Sequence, residues 1–227
     1  FSTTMGKKEA MVLALCEELK LRKEEFKNIT VETIYFGGGT PSVLDTAEIE
    51  QLIATVYENY QVSPAPEITL EANPDDLTEQ KILQLAKSPI NRLSIGIQSF
   101  FDEDLKLMNR AHSGKEAAES LAMATRHFDN ISIDLIYGMP NMSEERWQAN
   151  IEKALSFSIP HISSYVLTVE PKTALFDFIK KGLVIPAADE VAQAHFDILN
   201  KMLTVAGYSC YEISSFGKPG YFSKNNS

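Results

Sequence analysis

The sequence predicts an α/β fold in which parallel strands, with helices outside, curl into a barrel left open at one edge by a missing first strand. Three observations carry this expectation. Short β-branched runs alternate with helical patterns from one end of the chain to the other, the signature of βα units around a parallel sheet. A helical pattern precedes any strand, and polar residues collect where the strand-like runs end.

Taken in order, the first element is a helix over about Lys7–Phe26, with Val12, Leu15, Cys16 and Leu19 on one side. In a regular βα series a strand should come before it, so a first strand and its loop are expected upstream of Phe1. The strand-like runs are Val31–Phe36, Glu67–Ala72, Arg92–Gln98, Asn130–Ile136, His161–Leu167 and Tyr208–Ile213. Between them Ile49, Leu52, Ile53, Val56, Tyr57 and Tyr60 recur at helical spacing, as do Val191, His195, Ile198, Leu199, Met202 and Ala206. Ser113 with Glu116 reads as a capping box, Ser143 as an N-cap for the helix bearing Trp147, and Gly207 as a helix end. The helix from Lys115 runs into Phe128 without the usual Gly or Asn, which predicts that a few residues have been dropped from that turn.

Composition narrows the function. A chain of 227 residues with 44% apolar residues suits one large domain with a substantial core. Acidic residues outnumber basic ones by 31 to 21 and no Lys/Arg run breaks the excess, which argues against nucleic acid as a partner. Cys16 and Cys210 stand far apart in apolar surroundings and read as core thiols in a reducing cytoplasm. No apolar stretch of about 18 residues occurs and the start lacks a basic leader. A soluble, cytoplasmic protein without a transmembrane segment is expected.

In a parallel barrel the chemistry comes from loops at the carboxyl ends of the strands. The first run is followed by Gly37-Gly38-Gly39-Thr40-Pro41, the second ends in Glu71-Ala72-Asn73-Pro74, and the third in Gln98-Ser99-Phe100. Asp134 interrupts the fourth, and Thr168 and Glu170 follow the fifth. The glycine run serves either a tight turn or the close approach of a ligand, and Glu71 or Gln98 alone could be a loop hydrogen-bonder. Asp134 points to a site, because a carboxylate among apolar strand residues must find donors or shift its pKa. Arg110 reads as a surface charge or as a fork for a ligand carboxylate. His112 reads as loop or helix-start surface, and Trp147 and the phenylalanines as core.

Five segments then match in register. Tyr35–Pro41, Glu71–Pro74, Asn91–Phe100, Asn109–Ser113 and Ile133–Pro140 resemble the radical S-adenosylmethionine (SAM) core of the oxygen-independent coproporphyrinogen III oxidase and haem-chaperone family. The resemblance spans about Val31 to Ser227. It implies a partial TIM-like (β/α)6 radical SAM barrel over residues 1–217, with 218–227 the irregular start of a C-terminal region. It also implies a SAM site: Gly38, Gly39 and Thr40 along the methionine and adenosine parts, Glu71 contacting SAM, and Arg110 pairing with its carboxylate. Gln98 and Asp134 would meet ribose hydroxyls, and Thr168 would lie by the adenine. A zwitterionic amino acid needs both a cation and an anion, and a diol suits an amide or a carboxylate.

In this family a [4Fe-4S] cluster on a C-x3-C-x2-C loop reduces SAM to a 5′-deoxyadenosyl radical. No such motif occurs in the chain, and three thiolates are the minimum for such a cluster. The resemblance therefore places the ligands just upstream of Phe1, assigns no metal ligand within the chain, and implies that the chain alone is inactive. The family's reaction is oxidative decarboxylation of coproporphyrinogen III to protoporphyrinogen IX. The alternative is a haem chaperone that binds and transfers haem, and the segment Tyr211–Gly220 looks like that branch. The branch continues with a His-Asn pair, where this chain has Asn225-Asn226. The partners implied are a porphyrinogen or haem, a reductant for the cluster, and a membrane surface during haem delivery. A radical SAM enzyme acting on RNA is disfavoured by the acidic balance.

Overall fold

Residues 5–226 are described by a computed structural model. The described residues open on a 3-10 turn (Met5–Lys7) and helix α1 (Lys8–Leu21), then alternate: β1 (Thr30–Phe36), α2 (Thr46–Asn59), β2 (Gln61–Ala72), α3 (Glu79–Leu85), β3 (Arg92–Gln98), α4 (Asp102–Leu107) and α5 (Gly114–Ala124). It continues through β4 (Ile131–Tyr137), α6 (Glu144–Ser156), β5 (His161–Val166), α7 (Ala174–Lys180), α8 (Asp189–Val205), β6 (Ser209–Glu212) and β7 (Ser215–Gly217). The sheet order is β1-β2-β3-β4-β5-β7-β6, and β1 to β5 are parallel neighbours. This is the expected α/β half-barrel. Among the described residues β1 is an edge strand with a partner on one side only.

The central strands alternate apolar and polar residues, and the alternation builds the molecule. Ile68, Leu70, Leu93, Ile95, Ile97, Ile131, Ile133, Leu135 and Ile162 are buried at 2% exposure or less. They form one core with Leu52 and Ile53 of α2, Ile82 and Leu85 of α3, Leu121 of α5, Trp147 and Ile151 of α6, and Leu199 and Leu203 of α8. Each such side chain contributes roughly 1.5–3 kcal/mol by leaving water. The residues of opposite parity are mostly polar: Tyr35, Glu67, Thr69, Glu71, Arg92, Ser94, Ser132, Asp134, His161 and Ser163. A strand's side chains point alternately to its two faces, so these lie on the inner face of the half-barrel. A parallel sheet covered by helices on both faces would instead carry continuous apolar runs.

The last run departs from expectation. Tyr208–Ile213 was expected as a sixth parallel strand beside β5; instead β6 folds back at Ile213–Ser214, and β7 pairs antiparallel with both β5 and β6. The Glu212 carboxylate accepts hydrogen bonds from the Ser214 amide (3.3 Å) and hydroxyl (3.0 Å) and holds the turn. Phe216, fully buried, anchors β7 to the core. Cys210, expected in the core, is exposed on β6, whereas Cys16 is buried against α2.

Helix ends follow the sequence. The Ser113–Glu116 capping box is present, Ser143 accepts from the Arg146 amide, and Gly207 has φ +84°. The turn between α5 and β4 closes without a left-handed residue: the amides of His127 and Phe128 both bond the Ala124 carbonyl (3.0 Å each) and Phe128 is buried. Residues 218–226 are irregular apart from a 3-10 turn at Lys224–Asn226, yet they pack on the barrel. The Ser223 amide donates to the Tyr211 hydroxyl (3.0 Å), the Lys224 amide to Glu67 (3.0 Å), and Phe222 stacks on Tyr211 at 4.5 Å. Among the described residues no helix is long and apolar enough to cross a membrane.

Candidate cofactor site

Parallel pairing puts the carboxyl ends of β1 to β5 at one end of the sheet, and the loops there form one end of a cavity of about 1190 Å³ that runs along β1 and α1 as far as Arg22, Phe26 and Tyr60. Its polar end is lined by Gly38, Gly39, Thr40, Asn73, Asp75, Arg110 and His112; its apolar end runs between β1 and α1 past Ile34, Phe36, Met11 and Leu15. The glycine loop is tethered by the Val43 amide to the Thr40 carbonyl (3.1 Å). A side chain at Gly37 would fall 2.7 Å from the Tyr35 ring and 2.9 Å from Glu71 Oε1, whereas Gly38 (φ +84°) and Gly39 have nothing within 4 Å. Position 37 thus makes room for its own neighbours, and 38 and 39 present bare backbone.

Glu71 lies beneath this loop and accepts a hydrogen bond from the Tyr35 hydroxyl at 2.8 Å. Burial first, then Glu71, raise the Tyr35 pKa. Asp134, on the same inner face, is half-buried and has no hydrogen bond to any described residue. Burial chiefly, and then the Glu71 charge, push its pKa up to about 7 against the opposing pull of Arg92 and Arg110. Arg110 reaches the cleft from the loop after α4; its guanidinium makes no hydrogen bond or ion pair with a described residue. Burial lowers its pKa, while Asp134 and then Asp75 act the other way. The cleft therefore holds Arg110 without a hydrogen bond or ion pair, and the inner face carries Asp134, poorly ionised and without a hydrogen bond, within the fields of Arg92 and Arg110.

Gln98 is 7% exposed and sits at φ +64°. Its amide nitrogen comes back over Gly96 toward the Asn73 side chain. Of the residues expected in the site, Gly38, Gly39, Thr40 and Arg110 line the cleft, and Glu71 and Asp134 join them through the inner face. Thr168 stands apart, exposed beyond the end of β5, with no described contact to the others.

Three neighbours escaped the sequence reading. Tyr35 and Arg92 have the inner-face parity, so alternation would have found them had it been followed along whole strands rather than at their ends. Arg92 is 2% exposed, and its Nε is buried without a partner. His112, expected at the surface, is 4% exposed and bonds the Ile97 carbonyl through Nε2 at 3.2 Å. Nothing in the local sequence marks it, because its burial comes from α5 docking on the end of β3. Among the described residues no three His, Cys, Asp or Glu side chains are grouped to hold a metal ion.

An open parallel half-barrel with a glycine loop and polar side chains at the carboxyl ends of its strands belongs to the class of α/β folds that carry their small-molecule sites there. The Radical SAM superfamily profile matches residues 4–154, and the chain belongs to that superfamily. It is 38% identical to the haem chaperone HemW of Lactococcus lactis over 208 residues, covering 89% of this chain and 55% of the relative. To HemW of Escherichia coli it is 35% identical, covering 86% of this chain and 51% of the relative. The coproporphyrinogen III oxidase HemN of Escherichia coli, described as a radical SAM enzyme, has a similar structure: TM-score 0.81, 26% identity, 96% of this chain and 50% of that one. The chain spans about half the length of these relatives.

Proposed function

We propose that the cleft binds SAM and that the protein serves porphyrin or haem metabolism as a haem chaperone of the HemW kind. The observation that carries the cofactor reading is an Arg110 guanidinium without a hydrogen bond or ion pair lining the same cleft as the bare backbone of Gly38 and Gly39, with Asp134, also without a hydrogen bond, near enough on the inner face to act on it. Arg110 would take the SAM carboxylate in a forked pair, and Glu71 and the backbone of Gly38 to Thr40 the methionine and adenosine parts. Gln98 and Asp134 would bond the ribose hydroxyls, with Thr168 by the adenine. A ribose hydroxyl supplies the donor that Asp134 lacks, and such a bond favours the ionised carboxylate.

A reduced [4Fe-4S] cluster, when bound, supplies the electron that cleaves SAM. The described thiols do not fit it: Cys16 is packed against α2 and Cys210 lies on β6. We place its ligands in a C-x3-C-x2-C segment of the longer protein, just upstream of Phe1. The chaperone reading is favoured over the oxidase because the relatives named as haem chaperones reach 38% identity, against 26% for the oxidase. Haem, a cluster reductant and a membrane surface are the partners this reading needs.

The test is to reconstitute the full native chain anaerobically with iron and sulfide, then measure SAM binding, haem binding and protoporphyrinogen formation side by side. The expected outcome is binding of both SAM and haem with no protoporphyrinogen. Turnover of coproporphyrinogen III would replace the chaperone reading with the oxidase, and failure to bind SAM would overturn both.

A further inference from the structure

The turn that aims Gln98 is strained. A non-glycine residue at φ +64° is followed by the Ser99 amide donating back to the Ile97 carbonyl at 2.8 Å, a three-residue turn of the rare left-handed kind. Such a conformation persists only where the surroundings over-determine it. One clamp is evident on the α4–α6 side. The Ser99 hydroxyl donates to Asp104 at 2.8 Å, and the Phe100 amide to the Asn150 carbonyl oxygen at 2.7 Å; Arg146 stands 3.4 Å from Asp104.

The second clamp comes from His112. Its Nε2 lies 3.2 Å from the same Ile97 oxygen, and since a carbonyl only accepts, Nε2 carries the ring proton. Its Nδ1 lies 3.6 Å from Asp75 Oδ1, in the 3-10 turn Pro74–Asp76 that follows β2 and lines the cleft. Two residues before it in the chain stands Arg110, whose amide is fixed to the Leu105 carbonyl at 2.9 Å. Two residues after it, Gly114 is pressed so close to the Phe100 carbonyl that a Cβ there would lie 2.1 Å from the oxygen. The Gly114 amide also donates to Asp102 at 2.8 Å. The imidazole therefore ties the end of β3 to the Arg110 loop, and with Nε2 carrying the proton its Nδ1 stands beside Asp75 of the turn after β2 without bonding it.

We propose that His112 is a positioning residue for the cofactor site, locking the strained Gln98 turn and the Arg110 loop into one body so that the Gln98 amide, held beside the cleft-lining Asn73, and the Arg110 guanidinium keep fixed relative places. The proposal rests on the SAM reading above. It is tested in the full native chain, reconstituted with iron and sulfide, by titration calorimetry with SAM alongside thermal melting. The variants are His112→Leu, His112→Gln and, as a control on the site itself, Arg110→Met.

His112→Leu should weaken SAM about tenfold or more, as small misplacements of binding groups do. His112→Gln keeps a donor for the Ile97 carbonyl and should recover most of that affinity even where its melting temperature matches that of the Leu variant. Equal loss in both, tracking the melting temperature, would make His112 a core residue only and overturn the proposal. SAM binding by His112→Leu within about twofold of the parent, with Arg110→Met impaired, would overturn it and leave the SAM reading standing. Normal binding by Arg110→Met would instead bring down the SAM reading, and this proposal with it. Should His112→Leu not fold, nitrogen-15 histidine NMR of the parent protein decides. A protonated Nε2 whose signal shifts on adding SAM is expected; an unprotonated Nε2, or no shift at saturating SAM, overturns the proposal.

Discussion

Asp134 faces Glu71 from β2, Arg92 from β3, Arg110 from the loop after α4, and, at longer range, Tyr35 of β1 and Tyr165 of β5. Folding raises its pKa from 3.8 to about 7. Between those pH values the native state thus binds more protons than the unfolded chain, so Asp134 makes stability fall as pH rises from about 4 to about 7, and adds no further slope above that. Asp134→Asn removes this dependence. The variant should match the parent near pH 4 and exceed it at pH 8 by a few kcal/mol at most, each tenfold change in acidity being worth about 1.4 kcal/mol, while binding SAM more weakly. Thermal melts at the two pH values check the first claim; a variant less stable at pH 8 would show that the carboxylate is better partnered than its surroundings indicate. The glycine loop offers a second contrast. Gly37→Ala must push against Tyr35 and Glu71 and should cost about 1–3 kcal/mol. Gly39→Ala meets nothing within 4 Å and should melt within about 0.5 kcal/mol of the parent, yet lose SAM affinity if a ligand lies on that backbone.

At the scale of elements, what the sequence made legible was periodicity. Runs such as Arg92–Gln98 alternate cleanly and their boundaries match the strand, because the helices cover one face and the barrel interior takes the other. β2 was foreshortened to Glu67–Ala72, since Pro64 and Pro66 remove ladder donors; the strand in fact begins at Gln61 and its pairing with β1 shifts register between Val31 and Thr33. The β6–β7 hairpin was missed because Ile213-Ser214 is not a favoured hairpin dipeptide, and its turn is held by Glu212 from the flank. Site residues at strand ends were legible from the parallel topology, but Arg92, Tyr35 and His112 required knowing which face and which loop met. The hairpin's inner strap can be tested. Burial and then Arg92 push His161 down to about 3, so it is neutral. The Ser223 amide donates to the Tyr211 oxygen at 3.0 Å, leaving the phenol proton for His161 Nε2 at 2.7 Å and the ring proton for Ser132, 2.7 Å from Nδ1. Tyr211→Phe removes the donor to the buried His161 Nε2 and should cost about 1–3 kcal/mol. Denaturant melts check it, and a loss below about 0.5 kcal/mol would mean that water replaces the hydroxyl.

For the molecule as a whole, two features of the described chain oppose each other. The β1 edge, Thr30–Phe36, has one free side, and the groove beside it is lined by Met11, Leu15, Ile34 and Phe36, with Met11 48% and Leu15 39% exposed. An unpaired strand edge next to apolar surface is a template for pairing with another copy. The formal net charge of −10 repels a second copy, but only over a Debye length, about 10 Å at 0.1 M salt and about 3 Å at 1 M. Expressed alone, the 227-residue chain should therefore be monomeric at low ionic strength and self-associate as salt and concentration rise. Met11→Glu, at an exposed groove position, should suppress that association while changing stability by no more than about 0.5 kcal/mol. Sedimentation velocity across a range of salt separates the outcomes. A chain that stays monomeric at 1 M salt, taken here as about three times the screening of 0.1 M, would show that the β1 edge is protected by its own twist and flanking charges rather than by repulsion.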